Sequence, residues 1–396
     1  MTEQGRPVLN GVGWDADPAV PEWAGFPPLH GSTRADACVV GLGGSGLAAI
    51  EELTTRGLSV VGVDAGRVAA GAAGRNGGFL SGGGAMSLSG TDGTVDEDLR
   101  FELYRQTMAE LDRLTDQLGE DVIRRVGSIR LAGLPGDPED VVEEADRARE
   151  LLYCTEEVRA LRSLGVAVEE YNGELGRGFF NPDTAVMNPV RRAFGLASRL
   201  SSSARLFEHT SVSSIQPGAV ETELGHVDAR IVIVAVDGKL DVLVPQLSPL
   251  TRTVRLQMLA TEPLGARRLP CAVGCRWGYE WAQQDSAGRL LLGGGRDHFI
   301  EDENTTEDLP TEQVQSWIEG IAARVAGQPV TVTHRWAASA GYTKDQCGLC
   351  IPVDEGVVAC GGYSGSGNLV GPVAARAAVT MALDGTVPPA YFRSSF

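Results

Sequence analysis

Two hydrophobic periodicities alternate along this chain, and their order outlines a fold. Val39 and Val40 close a short buried apolar run, and Leu47, Ala48, Ile50 and Leu53 then recur at helical spacing before a second apolar run at 59–63. Between 95 and 118, Phe101, Leu103, Tyr104, Met108, Leu111, Leu114 and Leu118 fall mostly three or four apart, which predicts an amphipathic helix. Residues 128–132 and 166–170 read as strands, and between them Asp137 with Pro138 reads as the N-cap and first position of an acidic helix reaching about Leu164. Asn188-Pro189 opens another helix to about Leu200. The runs 205–208, 212–215, 220–223, 231–236, 252–262, 277–283 and 289–295 predict strands, and 312–325 a helix. The chain ends on a strand at 357–360, a glycine-rich turn and a helix from about Gly371. Residues 1–33 show little periodicity and read as an extended arm lying over the surface, with Trp14 and Trp23 docked in apolar grooves.

The first strand–helix–strand carries a specific signature. Gly41, Gly43 and Gly46 occupy G-x-G-x-x-G, followed by Gly44 and Ser45 at the helix start and by Asp64 at the end of the second strand, with Ala65 beyond it. The first glycine permits the tight turn, the second lets a pyrophosphate approach the backbone, and the third lets helix pack on strand. The helix N-terminus offers free N–H groups and a positive dipole end to phosphate. A carboxylate at Asp64 accepts ribose hydroxyls and repels a 2′-phosphate, which selects FAD or NAD over NADP and leaves those two open. The last strand, the turn at 361–368 and the terminal helix form a second such N-terminus more than 300 residues away. One ligand gathered by both chain ends predicts an α/β fold: a Rossmann-like domain from 34–85, 185–245 and 331–396. Interleaved with it, 86–184 and 246–330 form an α+β substrate domain on an antiparallel or mixed sheet.

Composition narrows the function classes. A formal net charge of −18 disfavours nucleic acid as a partner and reads as a solvated acidic surface. No basic segment followed by an apolar one opens the chain, and no stretch of about 18 apolar residues occurs, so the expectation is a cytoplasmic protein without a membrane partner. Seven cysteines fit buried thiols in a reducing compartment, although Cys271/Cys275 and Cys347/Cys350 have spacings that four-thiolate zinc sites use. Unremarkable thiols are the preferred reading, the five histidines lack metal-ligand spacing, and no metal is expected.

The chain resembles the D-amino-acid-oxidase-type FAD-dependent oxidoreductases, in the branch of glycine/sarcosine and gamma-glutamylputrescine oxidases. The resemblance spans nearly all of it. It rests on Gly41–Gly46 with Asp64 and on the segments 74–79 (Gly-Arg-Asn-Gly-Gly-Phe), 210–212, 257–263, 289–295, 336–345 and 362–367. It implies FAD rather than NAD. By resemblance Ala72, Ala73, Arg75, Asn76, Gly77, Gly78, Phe79 and Tyr342 line the flavin, and Val212 meets the adenine through its backbone. Gly365, Ser366, Gly367, Asn368 and Leu369 would present N–H groups and a helix dipole to the pyrimidine end, where reduction places negative charge. Relatives that attach flavin covalently have a cysteine, and glycine-oxidising ones a carboxylate-binding arginine, where this chain has Ala340; Ser366 stands where a histidine is common. These departures imply non-covalent FAD and a substrate larger than a simple α-amino acid. Arg276, Arg296 or Arg335 could supply a carboxylate partner from elsewhere.

The implied reaction is hydride transfer from the carbon beside an unprotonated amine to flavin N5, giving an imine that water hydrolyses, with O2 as the expected acceptor and H2O2 as product. A dehydrogenase using another acceptor and a non-catalytic flavin-binding regulatory protein are the alternatives. Trp277, Tyr279 and Trp281 alternate and so share one face of a predicted strand, either as core or as substrate lining. Tyr342 lies inside the block approaching the flavin, and Tyr363 opens the second turn. Lys344 adjoins the block and would stabilise superoxide if it faced the flavin. Asp345 and Glu280 are candidates for holding a substrate amine, with solvent exposure as their ordinary state.

Overall fold

The computed structural model describes residues 7–90, 95–135 and 144–393. Its nucleotide-type sheet has eight strands among the described residues, with Arg205–Phe207, Val60–Val63, Gly31–Val40, Gly225–Val234 and Val357–Gly361 side by side and parallel. The three central strands bury Ala37, Val39, Val61, Val63, Ile231 and Ile233 on both faces, which is why they read as continuous apolar runs. A hairpin of Val212–Gln216 and Ala219–Thr222 extends one side, and Leu349–Asp354 pairs antiparallel with Val357–Gly361. The helices Gly44–Thr55 and Gly367–Asp384 pack against each other on this sheet.

A second sheet of nine strands begins with Val8–Leu9 and continues through Val332–Thr343, Thr251–Pro263, Arg289–Gly293, Glu280–Gln284 and Ala272–Cys275 to Ser128–Ala132, Gly176–Asn181 and Glu169–Gly173. Its two faces separate cleanly, because side chains alternate along each strand. Leu259, Leu290, Leu292 and Val332 pack with Ile318, Ile321 and Val325 of the helix Glu312–Ala326. Met258, Ala260, Leu291 and Trp336 join the core of the nucleotide-type sheet instead. The opposite side of the large sheet is therefore the one that faces the nucleotide-type sheet. The strand Val332–Thr343 lies wholly in this sheet, and the chain returns to the first sheet only at Leu349.

Several elements depart from the sequence reading. The strand expected over 277–283 is broken by a tight turn at Arg276–Gly278, where Arg276 and Trp277 have φ of 43° and 57°. Trp277, Tyr279 and Trp281 thus do not share one strand face: the first two stand on the turn, 39% and 45% exposed, and only Trp281 lies on the strand Glu280–Gln284. A hairpin needs such a reversal, and an aromatic run hides it from a periodicity test. The strand expected at 166–170 is found at Glu169–Gly173. The terminal helix starts at Gly367, before the expected Gly371, because Pro372 is accommodated inside its first turns. The cap expected at Asp137 and Pro138 lies outside the described residues. The arm is more than a surface strap, since Trp14 is 1% exposed in the main core. Its indole N–H donates to the Asn76 carbonyl at 2.8 Å, while Trp23 stacks on Phe194 at 4.2 Å.

All seven cysteines are buried and free. Cys275 ends a strand of the large sheet that Cys271 just precedes and Cys350 lies in the other sheet, and among the described residues the cysteines are not among the groups of three or more ligating side chains close enough to share an ion. Among the described residues, no helix is long and apolar enough to cross a membrane.

Candidate active site

Where the two sheets face each other, the backbone of the fingerprint comes close to neighbouring segments. Gly41 turns with φ 102°, and a Cβ there would stand 2.6 Å from the Ala235 carbonyl oxygen. A Cβ on Gly46 would overlap the Gly41 carbonyl, so this glycine sets how closely helix and strand approach. Gly43 differs: a Cβ there meets only the Ala73 methyl, at 3.5 Å, and otherwise open space before the helix N-terminus. No side chain caps that terminus, which leaves its N–H groups for a ligand. Asp64 closes the turn by accepting the Leu42 and Gly66 N–H groups at 2.7 and 2.9 Å. Burial pushes its carboxyl upward, and these two donors oppose the shift.

The second wall comes from the short helix Ala72–Arg75 and the stretch to Phe79, where Ala72, Ala73, Asn76, Gly77 and Phe79 are half-buried. Two asparagines join it to the far end of the chain. Asn368 donates to the Asn76 side-chain oxygen at 3.0 Å and to the Phe79 carbonyl at 2.8 Å, and Asn76 Oδ1 also accepts the Gly78 N–H at 2.8 Å. Gly365 is exposed and Ser366, Gly367 and Asn368 are half-buried, whereas Leu369 is buried in the core. Ser366 donates to the Tyr363 carbonyl, and Ser45 donates to the Tyr363 hydroxyl at 3.0 Å, so Ser45 is occupied in linking the two helix starts. Arg75 spends its guanidinium on the Ala70 and Ala337 carbonyls and Asn10. Val212 is half-buried on its strand, close to Thr210, whose N–H bonds the Asp64 carbonyl at 2.7 Å; Ala65 is exposed.

Two residues here escaped the sequence reading. Arg192, 2% exposed, lies beneath Gly44 and donates to the Asn368 carbonyl at 2.9 Å, between the two helix N-termini. Its Nε has no partner, and burial pushes its guanidinium down to about 10. Asp237 is half-buried and accepts N–H groups from Gly341, Gly362 and Tyr363 at 3.2, 2.9 and 3.3 Å, tying the strand Val332–Thr343 to the terminal turn. In sequence both resemble ordinary polar residues, on an amphipathic helix and after an apolar strand, and only the spatial meeting of distant segments reveals them.

The third wall is aromatic. Trp281 packs against Gly77 and Gly293, and its indole N–H is buried without a partner. From the same strand, Gln283 donates to the Gly77 carbonyl at 2.5 Å. The Tyr342 hydroxyl approaches Gly365, where a Cβ would stand 3.3 Å from it, and the Arg296 guanidinium lies 4.6 Å over the Tyr342 ring. Burial raises the Tyr342 phenol above its ordinary range; Arg296 opposes this, while Asp237 and Tyr279 add to it. Trp281 thus packs at Gly77, Tyr342 reaches Gly365, and Tyr279 stands near enough to Tyr342 to act on its phenol. Lys344 stands apart, exposed on the turn that follows the strand. Asp345 pairs with Arg393, and Tyr363 is buried. Glu280 is buried rather than exposed, because Arg276 bridges it to Asp297. That guanidinium supplies the positive charge for the Glu280, Asp297 and His298 group.

Residues 36–381 match the family described as FAD dependent oxidoreductase (DAO). The chain belongs to this family. It is 26% identical over 368 residues to a gamma-glutamylputrescine oxidoreductase of Escherichia coli (strain K12), covering 87% of this chain and 83% of that protein. It is 28% identical over 395 residues to a probable oxidoreductase, OrdL, of Rhizobium meliloti (strain 1021), covering 93% and 87%. Its fold is that of a glycine oxidase from Bacillus cereus ATCC 14579, with a TM-score of 0.71 at 17% identity over 90% of this chain and 99% of that one. The expected α/β architecture with a Rossmann-like unit and a mixed sheet is thereby observed. As an FAD dependent oxidoreductase it requires a phosphate cradle, and the open space at Gly43 meets that requirement where a side chain would fill it.

Proposed function

We propose that this oxidoreductase converts the C–N bond of a small amine to an imine, which water then hydrolyses, with O2 accepting the electrons and leaving as H2O2. The observation that carries this reading is the Asn76–Asn368 junction, which brings the start of the terminal helix against the segment leading to Gly77 and Gly78, with Trp281 packed on Gly77 and the Tyr342 hydroxyl beside Gly365. FAD, held non-covalently, would supply the hydride acceptor at N5. Gly41, Gly43, Gly44 and Gly46 would form the cradle for its pyrophosphate, Asp64 and Ala65 would flank its ribose, and Val212 its adenine. Ala72, Ala73 and Gly77–Phe79 would line the isoalloxazine, with Gly365–Asn368 at its pyrimidine end. Relatives and neighbours support the amine class: the Escherichia coli relative is named for gamma-glutamylputrescine, and the Bacillus cereus neighbour for glycine.

The chain's own residues would orient the amine and strip its water. Tyr342, whose phenol burial raises further above its ordinary range, offers a hydroxyl that both donates and accepts beside the terminal turn. Tyr279 and Trp281 would extend an apolar wall that disfavours the ammonium form and so supplies the reactive lone pair. Lys344 has no place in this proposal, because its exposed position puts it on solvent.

Adding a panel of primary and secondary amines in air should release hydrogen peroxide in step with oxygen uptake. Amine oxidation that proceeds only with an added dye would replace oxidase by dehydrogenase. Ala340 presents a methyl group to which nothing can be attached. Acid precipitation is accordingly expected to leave all yellow colour in the supernatant; colour retained in the pellet contradicts non-covalent binding.

A further inference from the structure

Three arginines are buried among the described residues, and two of them sit against a carboxylate: Arg255 lies 2.8 Å from Glu303 and Arg289 2.7 Å from Asp285. Arg192 does not. Its hydrogen bonds among the described residues go only to Asn368, to the carbonyl at 2.9 Å and the side-chain oxygen at 3.4 Å, and its Nε has no partner. Glu110, the acid whose charge favours it, is engaged by Arg113 and Arg376. Burial pushes the guanidinium down only to about 10, so it stays charged at neutral pH. A buried charge without a counter-charge is costly, and this one stands behind the starts of the helices Gly44–Thr55 and Gly367–Asp384, both positive dipole ends. Such an arrangement calls for an anion.

The backbone is shaped to admit this side chain. Pro372 has no N–H for the Asn368 carbonyl four residues before it in the terminal helix, and Arg192 supplies the missing donor. Gly44 clears the other side, since a Cβ there would press on both terminal nitrogens of the guanidinium at 3.1 Å. The fingerprint requires Gly41, Gly43 and Gly46 but not a glycine at 44, and the helix does not require its proline. A neutral donor would satisfy the carbonyl equally well, so the charge needs a reason of its own. We propose that Arg192 is the counter-charge of the FAD diphosphate, a positioning residue that holds the dinucleotide from behind the cradle. This rests on the placement of FAD over Gly43 and Gly44. The diphosphate is favoured over the reduced flavin as the anion because the guanidinium packs at Gly44, within the cradle, and because the diphosphate is charged whether the flavin is oxidised or reduced.

The test follows flavin fluorescence as the purified flavin-loaded protein is diluted, which reads how tightly FAD is held, and repeats the dilution with ADP or adenosine as competitor. Arg192→Met should loosen FAD roughly 10–100-fold and weaken ADP by the same factor, leaving adenosine unchanged because it lacks the diphosphate. Arg192→Gln keeps a donor for the carbonyl and loses only the charge, so it should loosen FAD as well. Pro372→Ala gives the Asn368 carbonyl a backbone donor, and the double variant Arg192→Met/Pro372→Ala should keep native circular dichroism yet still hold FAD loosely. Wild-type FAD affinity in Arg192→Gln or in the double variant would make the arginine a cap for one carbonyl and overturn the proposal. A loss shared equally by ADP and adenosine would overturn it too. So would a lowered flavin reduction potential with ADP affinity intact, which would move the counter-charge to the pyrimidine end. A Gly43→Val protein that purifies fully yellow removes the cradle beneath the proposal; colourless Gly43→Val with unchanged ADP binding in Arg192→Gln removes the role of Arg192 alone.

Discussion

Gly43→Val is expected to yield a folded protein without flavin, whereas Gly46→Val is expected to yield no folded protein at all. The two glycines belong to one fingerprint and differ in what surrounds them. A Cβ on Gly46 collides with the Gly41 carbonyl, so a side chain must push the helix Gly44–Thr55 off the strand Gly31–Val40 and open the core that Leu47, Ile50 and Leu53 share with it. Loss of packing on that scale exceeds the stability of an ordinary domain, about 5–15 kcal/mol. At Gly43 the protein offers room, with Ala73 at an ordinary 3.5 Å, and the valine instead fills the space that the pyrophosphate needs. Flavin content at purification should fall roughly tenfold or more while the circular dichroism spectrum stays native. A Gly43→Val protein that purifies fully yellow would show that the cradle has been misplaced.

How far this site was legible in the sequence depends on whether its parts are local. The fingerprint, Asp64 and the helix that follows are contiguous, and each obeys a spacing rule, so they can be read directly. The meeting of residue 76 with residue 368 follows only as an architectural necessity, because one ligand has to be gathered by both chain ends. Arg192 and Asp237 could not be read, because nothing near them in sequence marks a charge whose partners are backbone groups of distant segments. The aromatic run 277–281 misled for the opposite reason. Its alternation satisfies a strand pattern, yet the backbone reverses there, and residues with positive φ other than glycine carry no sequence signal.

Asp237→Ala should destabilise the protein by about 3 kcal/mol and loosen the flavin as well. The carboxylate is the acceptor for three N–H groups, from Gly341, Gly362 and Tyr363, and leaving such buried donors unpaired costs about 1–3 kcal/mol each before relaxation. Those donors lie where the strand carrying Tyr342 meets the turn leading to Gly365–Asn368, so their release lets the aromatic wall and the terminal helix move apart. Asp237→Asn keeps one acceptor oxygen but turns an amide donor towards a backbone donor, and should fall between wild type and alanine. Chemical denaturation followed by fluorescence, together with flavin retained after dialysis, reads both effects. An alanine variant as stable and as yellow as wild type would mean that the terminal turn holds its shape without this residue.

The central claim is that an amine reduces the flavin held by this protein. Its most direct measurement is anaerobic mixing of the purified yellow protein with a panel of primary and secondary amines, including members that carry a carboxylate. The account predicts that at least one amine bleaches the flavin completely, with one carbonyl product formed per flavin after the imine hydrolyses. A protein saturated with FAD, bleached by a chemical reductant but by no amine in the panel, would contradict it.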